Sequence, residues 1–249
     1  MGPVAREARD VVRLRTARTM KTCAALAVAG ICILAAGCSS GSNQATKTSA
    51  NKSTTTTTTA PPVKEAALDP FLLSPELINT AMGATDMAIT KNHTSMSDDS
   101  ATMDPKECLA IDGAAQANVY ADSGYSAERD QTLQEGDNFT HYVAQAVVLF
   151  PTAKQADAFF TVSAQQWANC HQYSHTQSGS EWAVGPVSNT NGILSTTATQ
   201  QNANAPGWGC GRALALRNNV VVDVNTCSAN PADSAVNIAN QIAAKIPTQ

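Results

Sequence analysis

The chain has 249 residues with 16 basic and 20 acidic side chains, and its formal net charge is −4 at pH 7. Six of the basic residues, but only two of the acidic ones, fall within the first 37 positions. The remainder therefore has ten basic and 18 acidic side chains and a net charge of −8. An acidic exterior disfavours nucleic acid and anionic lipid as partners, because both are negatively charged. Nucleic-acid binding is excluded on this ground.

The N-terminal segment has the features of a secretory signal peptide. Six basic residues lie between Arg6 and Lys21, and the 14 residues from Cys23 to Ala36 carry no charge. A basic start followed by a short apolar stretch and small residues is typical of such signals. A transmembrane helix is the weaker interpretation, because a hydrocarbon core requires about 20 apolar residues.

The end of this segment, Leu34-Ala35-Ala36-Gly37-Cys38, resembles the lipobox of bacterial lipoproteins. In such proteins the cysteine is acylated, for example with palmitate, and becomes the new N-terminus. The usual leucine three positions before the cysteine is Ala35 here, with Leu34 one position further back. We predict a lipoprotein signal peptide over residues 1–37, lipidation at Cys38, and a location on the extracytoplasmic face of the cell membrane. The alternative is an ordinary signal peptide with a chance cysteine.

Residues 38–65 are rich in Ser and Thr, with six consecutive threonines from Thr54 to Thr59. Such a stretch cannot bury apolar surface, so it predicts a disordered linker. Residues 66–249 show globular patterning over a length that suits one domain.

Local signals predict several elements in this domain. Ser74-Pro75-Glu76 predicts the start of a short helix that Gly83 ends. Residues 91–106 are polar and predict a loop, and Tyr142 to Phe150 predict a strand. Thr152, with Gln155 three residues later, predicts the capping box of a longer helix.

The last 40 residues predict a hairpin and a helix. Arg212–Arg217 and Val220–Val224 are β-type runs that flank Asn218-Asn219, and Asn tolerates the positive φ of a two-residue turn. Asn230-Pro231 predicts the start of a final amphipathic helix. Its predicted buried positions are Ala235, Ile238, Ala239, Ile242 and Ile246.

Four cysteines remain after the signal peptide and Cys38, and an even number in an exported chain predicts two disulfides with three possible connectivities. The hairpin register selects one connectivity. With Asn218-Asn219 as the loop, Cys210 and Cys227 face each other at a non-hydrogen-bonded pair, within disulfide reach. Cys108–Cys170 follows by elimination.

The same register separates the two faces of the hairpin. One face is apolar and is predicted to be core: Ala213, Ala215, Val220, Val222 and Val224. The other carries Cys210, Arg212, Leu214, Leu216, Val221, Asp223 and Asn225. That mixed face indicates either a buried Arg212–Asp223 ion pair or the floor of a ligand cleft. The cleft candidates are Arg212, Leu214, Asp223, Asn225, Trp182 and Trp208.

No motif predicts catalysis, a cofactor or a resident metal. The G-x-S-x-G match at residues 37–41 lies at the processing site and cannot form a strand-to-helix elbow. His171 and His175 have the spacing of helical metal ligands but lack an HExxH pattern. His141 could act as the general base for a serine nucleophile. A catalytic triad is defined by geometry, however, and the spacing of residues in the sequence does not show that geometry. Glu128 and Asp130 are interpreted as solvated loop charges.

An ordered set of residues over positions 68–249 resembles the PknH-like extracellular sensor domain family, which also occurs in mycobacterial lipoproteins. The set comprises Phe71-Leu72-Leu73-Ser74, Met82-Gly83-Ala84, Cys108, Tyr120, Ser123-Gly124, residues 145–151, Ala156, Phe159-Phe160, Trp167 to Cys170, residues 210–213, residues 219–224, Cys227 and the closing Ala/Ile helix.

The resemblance implies an α+β domain: a twisted antiparallel sheet flanked by helices, with two internal disulfides and a broad cleft. It further implies a non-enzymatic, extracytoplasmic binding or sensor-like domain, here tied to the membrane by the N-terminal lipid. The expected ligand is a small molecule, a glycan or a lipid-derived group. The alternatives are an envelope hydrolase with an unrecognised active site and a structural or host-interaction surface lipoprotein.

Overall fold

The computed structural model describes residues 60–248. The predicted signal peptide, the lipidation site Cys38 and most of the predicted linker lie outside these residues. Within them, no helix has the length and apolar character needed to cross a membrane.

The strands form one antiparallel sheet. They are β1 Ala88–His93, β2 Met103–Asp104, β3 Ala127–Gln134, β4 His141–Leu149, β5 Gln172–His175, β6 Glu181–Val184, β7 Ser188–Thr190, β8 Ile193–Gln200, β9 Trp208–Arg217 and β10 Val220–Ala229. Their order across the sheet is β1-β3-β4-β10-β9-β8-β6-β5-β2, and β7 pairs with β8. The long strands β4, β9 and β10 therefore lie at its centre.

Helices cover both faces of the sheet. They are α1 Pro75–Met82, α2 Leu109–Asp112, α3 Ala117–Tyr120, α4 Ala153–Trp167 and α5 Ser234–Lys245, with short 3-10 turns at Glu65–Ala67, Asp69–Phe71, Ser100–Thr102 and Lys106–Cys108. This arrangement confirms the predicted α+β class.

Helices α1 and α5 pack on the first face. The apolar hairpin side forms this core, and the predicted set Ala213, Ala215, Val220, Val222 and Val224 is fully buried. The helix stripe centred on Ile238 and Ile242 is buried against it. Because successive strand residues point to opposite faces, the alternation in sequence was sufficient to predict this layer.

Helices α2, α3 and α4 cover the second face. Their buried side chains include Trp167 and Tyr120, which pack with Val148, Leu214 and Val221 of the central strands. Both disulfides belong to this second core.

Several local predictions are confirmed. Gly83 ends α1 with a φ of 68°, which the absence of a Cβ makes inexpensive. The Thr152 hydroxyl oxygen accepts a hydrogen bond of 3.2 Å from the Gln155 backbone N–H at the start of α4. The hairpin register pairs Cys210 with Cys227, and the structure contains both expected bridges, Cys210–Cys227 and Cys108–Cys170.

Three boundaries differ from the predictions. The polar stretch 91–106 is not all loop, because it includes the end of β1 and all of β2. The final helix begins at Ser234 and not at Pro231, since Asn230 takes a φ of 60° and residues 231–233 form a turn. The folded part also begins earlier than residue 66: the Val63 N–H donates to Asn219 Oδ1 at 2.7 Å, and the Val63 carbonyl accepts from Asn219 Nδ2.

Candidate functional site

Three of the predicted cleft residues belong to the core. Arg212, Leu214 and Asp223 are each no more than 2% exposed, because α2, α3 and α4 cover this part of the hairpin. The interpretation of Arg212, Leu214 and Asp223 as the floor of an open cleft is therefore wrong, and the alternative of a buried Arg212–Asp223 ion pair is confirmed.

Arg212 has further partners besides the Asp223 carboxylate. Its guanidinium donates to the carbonyl oxygens of Val224 and Gly113, both at 2.8 Å, and it stacks 5.2 Å from the ring centroid of Trp167. A buried charge needs such compensation, because its desolvation costs several kcal/mol.

Asp223 and Asn225 connect the hairpin to the segment between α2 and α3. Asp223 Oδ2 accepts hydrogen bonds from the Tyr120 hydroxyl at 2.9 Å and from the Ala115 N–H at 3.0 Å. Asn225 Nδ2 donates to the Asp112 carbonyl at 3.1 Å. Ala115 has a φ of 48°, an uncommon conformation for a residue with a Cβ, so these contacts hold the segment in a constrained shape.

That segment forms one wall of a cleft of about 350 Å³. Asn225, Trp182 and Trp208, the other three predicted residues, line this cleft, together with the Cys210–Cys227 disulfide, although Asn225 is itself only 2% exposed. The hairpin thus contributes to the cleft at its disulfide end, while its Arg212–Asp223 end lies beneath the helices. A larger cavity of about 640 Å³ lies near α2 and α4, but no aromatic side chain lines it. We therefore assign the candidate site to the cleft.

Sequence reasoning missed several residues of the cleft. Phe139 and Tyr142 extend an aromatic cluster with Trp208, with ring centroids 6.0 Å apart for Phe139–Tyr142 and 6.2 Å for Phe139–Trp208. Tyr142 pairs directly with Cys227 in the β4–β10 register. Extending the register of the β9–β10 hairpin to the neighbouring strand β4 would have identified Tyr142. Phe139, in the β3–β4 connection, carried no such signal.

Two histidine–aspartate pairs also line the cleft. His175 Nε2 lies 2.8 Å from Asp112 Oδ1, and this hydrogen bond raises the pKa of His175 above its ordinary value. His93 Nδ1 lies 3.4 Å from Asp130 Oδ1. One oxygen of each carboxylate therefore lies within hydrogen-bonding distance of a histidine ring nitrogen.

The remaining histidine candidates, His141, His171 and His175, lie outside helices. His175 ends strand β5, so it does not share a helix face with His171, and residues 60–248 contain no group of three or more potential metal ligands. Within the part of the chain that the structure describes, the side chain of His141 contacts Glu135 and Thr140 and no serine. His175 does contact a serine: its Nδ1 lies 3.2 Å from Ser180 Oγ, which completes a chain Asp112–His175–Ser180.

Glu128 and Asp130 are not solvated loop charges as interpreted from sequence. Both lie on β3, and Glu128 is 1% exposed. Burial, followed by the charge of Asp130, raises the pKa of Glu128 to about 8, and burial also raises the pKa of Asp130. Glu128 is therefore neutral at neutral pH, beside a carboxyl group that faces the cleft.

The sequence is similar to parts of longer protein kinases. The serine/threonine-protein kinases PknH of Mycobacterium bovis and Mycobacterium tuberculosis are each 38% identical over 190 residues, which cover 74% of this chain. The matched region is 31% of the M. bovis protein and 29% of the M. tuberculosis protein, so the chain spans less than a third of these relatives.

A solved structure matches the fold directly. The crystal structure of the extracellular domain of PknH from Mycobacterium tuberculosis superimposes with a TM-score of 0.70 at 37% identity, covering 74% of this chain and 97% of that domain. Residues 63–245 match the PknH-like extracellular domain. The chain therefore belongs to the PknH-like extracellular domain family.

Proposed function

We propose that this domain is a non-enzymatic, sensor-like binding module on the extracytoplasmic face of the cell membrane, tethered through a lipid on Cys38. The observation that carries the binding function is the cleft. It combines aromatic side chains with many polar and charged groups that converge on one space, so it offers both apolar contact and hydrogen bonds to a small ligand.

The covalent and hydrogen-bonded contacts around the cleft favour a preformed site. A disulfide lines it, and a buried ion pair with its hydrogen bonds holds the 112–115 wall. Such preorganisation reduces the ordering cost of binding. Family membership supports the extracytoplasmic, sensor-like role, because the relatives carry this domain as the extracellular part of a kinase.

Small molecules retained by the purified full chain test this function. The chain is produced in an exporting bacterial host, and its bound compounds are identified by mass spectrometry after denaturation. Ala144→Phe fills the cleft, because Ala144 lines it, whereas Ala158→Phe makes the same change on the exposed side of α4. Retention in wild type and Ala158→Phe but not in a folded Ala144→Phe variant supports the proposal. Equal retention in all three contradicts it.

A hydrolase is the second candidate, favoured by the Asp112–His175–Ser180 chain. Its geometry departs from a Ser-His-Asp triad, because the serine contacts Nδ1 and the aspartate contacts Nε2. Ser180 Oγ also accepts a hydrogen bond from Trp182 Nε1 at 3.1 Å, which reduces its nucleophilicity. Hydrolysis of an activated ester that is lost in Ser180→Ala would support the hydrolase, and an unchanged rate would eliminate it.

A further inference from the structure

The aromatic pair Phe139 and Trp208 separates the cleft from a second depression. This neighbouring depression, of about 360 Å³, shares both rings with the cleft. Both side chains are only partly buried, so ring surface remains accessible between the two spaces. The cleft and the depression thus form adjoining compartments with an aromatic divider.

The polar groups of the two compartments differ in a way that restricts the ligand. In the second depression they are the uncharged side chains Thr140, Gln200 and Asn204. In the cleft, the carboxylates of Asp112 and Asp130 are paired with His175 and His93. These carboxylates are fixed acceptors for hydroxyl groups. Lys91 and Asp99 also line the cleft, so its charged groups are of both signs and favour neither an anionic nor a cationic ligand.

An acyl chain is disfavoured as well. Burying it would remove water from the carboxylates and amides of the walls without replacing their hydrogen bonds, which is costly. A ligand that fits has apolar ring faces for the aromatic side chains and many hydroxyl groups for the carboxylates and amides. Neutral saccharides have this chemistry, because their axial C–H groups form apolar faces and their hydroxyls donate and accept.

Resting on the proposed binding function, we propose that the ligand is a neutral oligosaccharide. One part of the glycan occupies the cleft, the chain passes over Phe139 and Trp208, and further units contact Gln200 and Asn204. Two compartments in sequence require an oligomer, so affinity rises with chain length until both are filled.

Calorimetric titration of the full chain tests this ligand class. The probes are neutral glucose, mannose, galactose and arabinose oligomers, from disaccharides to hexasaccharides, with a hexuronate oligomer, a hexose phosphate and a fatty acid as the other arms. We expect binding by a neutral oligomer series. Trp208→Ala should weaken it about tenfold, while Trp208→Phe, which keeps a ring, should retain most of the affinity.

Gln200→Ala tests the second compartment. It should lower the affinity for the longer oligomers about fivefold and leave the affinity for the disaccharide unchanged. Gln166→Ala, in the separate cavity beside α4, is the matched control and should change neither. A uniform loss in Gln200→Ala for all lengths would overturn the two-compartment arrangement.

The experiments distinguish a wrong ligand class from a cleft that binds no ligand at all. Binding of the fatty acid or an anionic sugar, with no neutral oligomer bound, overturns the saccharide proposal while the cleft remains a binding site. Binding of no neutral oligomer also overturns it. The binding function itself fails only if retained compounds are indifferent to Ala144→Phe.

Discussion

The guanidinium of Arg212 and the carboxylate of Asp223 form an ion pair diagonally across the β9–β10 hairpin, beneath helices α2, α3 and α4. Neither residue lines the cleft, yet their remaining hydrogen bonds hold the backbone of Gly113, which does line it, and of the nearby Ala115. The pair is therefore a positioning element: it shapes a binding surface that it does not contact.

Arg212→Ala is expected to destabilise the protein by about 3–5 kcal/mol, because it leaves the Asp223 carboxylate buried without its cation. Urea denaturation measures the free energy of unfolding. Arg217→Ala is the matched control, since Arg217 is only partly buried and its guanidinium donates to the Leu216 carbonyl. Arg217→Ala should lower the free energy of unfolding by less than about 1 kcal/mol. A small effect of Arg212→Ala would mean that the pair is solvated.

The disulfides are expected to differ in their contribution to stability. Cys108–Cys170 has a sequence separation of 62 and Cys210–Cys227 one of 17. Loop entropy in the unfolded chain gives about 4 and about 3 kcal/mol respectively. Replacing both cysteines of a bridge with alanine should therefore lower the melting temperature more for the longer loop, whose partners are not held by a strand pair. The reverse order would show that the hairpin depends on its bridge.

The hairpin illustrates how much of the fold and site could be predicted. An Asn-Asn turn and a period of two were sufficient for the register, both faces and the Cys210–Cys227 pair, because strand pairing is a local relation. Whether the mixed face is open or covered could not be predicted. The cover comes from α2, α3 and α4: the start of α4 was predicted but not the face on which it packs, and α2 and α3, of four residues each, have patterns too short to recognise.

Tertiary context also explains the misinterpretation of Glu128. A Glu-Arg-Asp sequence is ordinarily solvated, and nothing in residues 128–130 indicates a strand next to the sheet centre. In β3, alternation turns Glu128 and Asp130 to the face covered by α2, α3 and α4, while Arg129 pairs with Glu65 and Asp69.

Cys38→Ala is expected to release the protein from membranes or to leave it unprocessed, because acylation of this thiol supplies the proposed anchor. Fractionation and intact-mass measurement of the membrane and soluble pools check this. Cys32→Ala, which also removes a cysteine near the predicted cleavage site, should change neither location nor mass of the mature chain. Correct processing and membrane retention of Cys38→Ala would contradict the lipid anchor.

Glu128→Gln is expected to stabilise the protein at high pH. Burial, and then the charge of Asp130, raises the pKa of Glu128 from 4.5 to about 8, so the folded state keeps a proton that the unfolded chain loses near pH 4.5. The free energy of unfolding therefore falls as pH rises from about 4.5 to about 8, where the folded carboxyl group also ionises. Neither oxygen of Glu128 has a hydrogen-bond donor among the described residues, and the charge of Arg129 offsets the burial of the ionised form only in part.

A glutamine at this position has the shape of the protonated acid and does not titrate. Melting temperatures measured across pH should therefore be similar for Glu128→Gln and wild type below pH 4.5 and diverge above it, with the variant higher by an increasing margin up to about pH 8. Glu181→Gln makes the same change at an exposed position on β6, and its melting temperature should follow that of wild type across the pH range. Parallel curves for Glu128→Gln would show that Glu128 ionises normally and that its side chain reaches water.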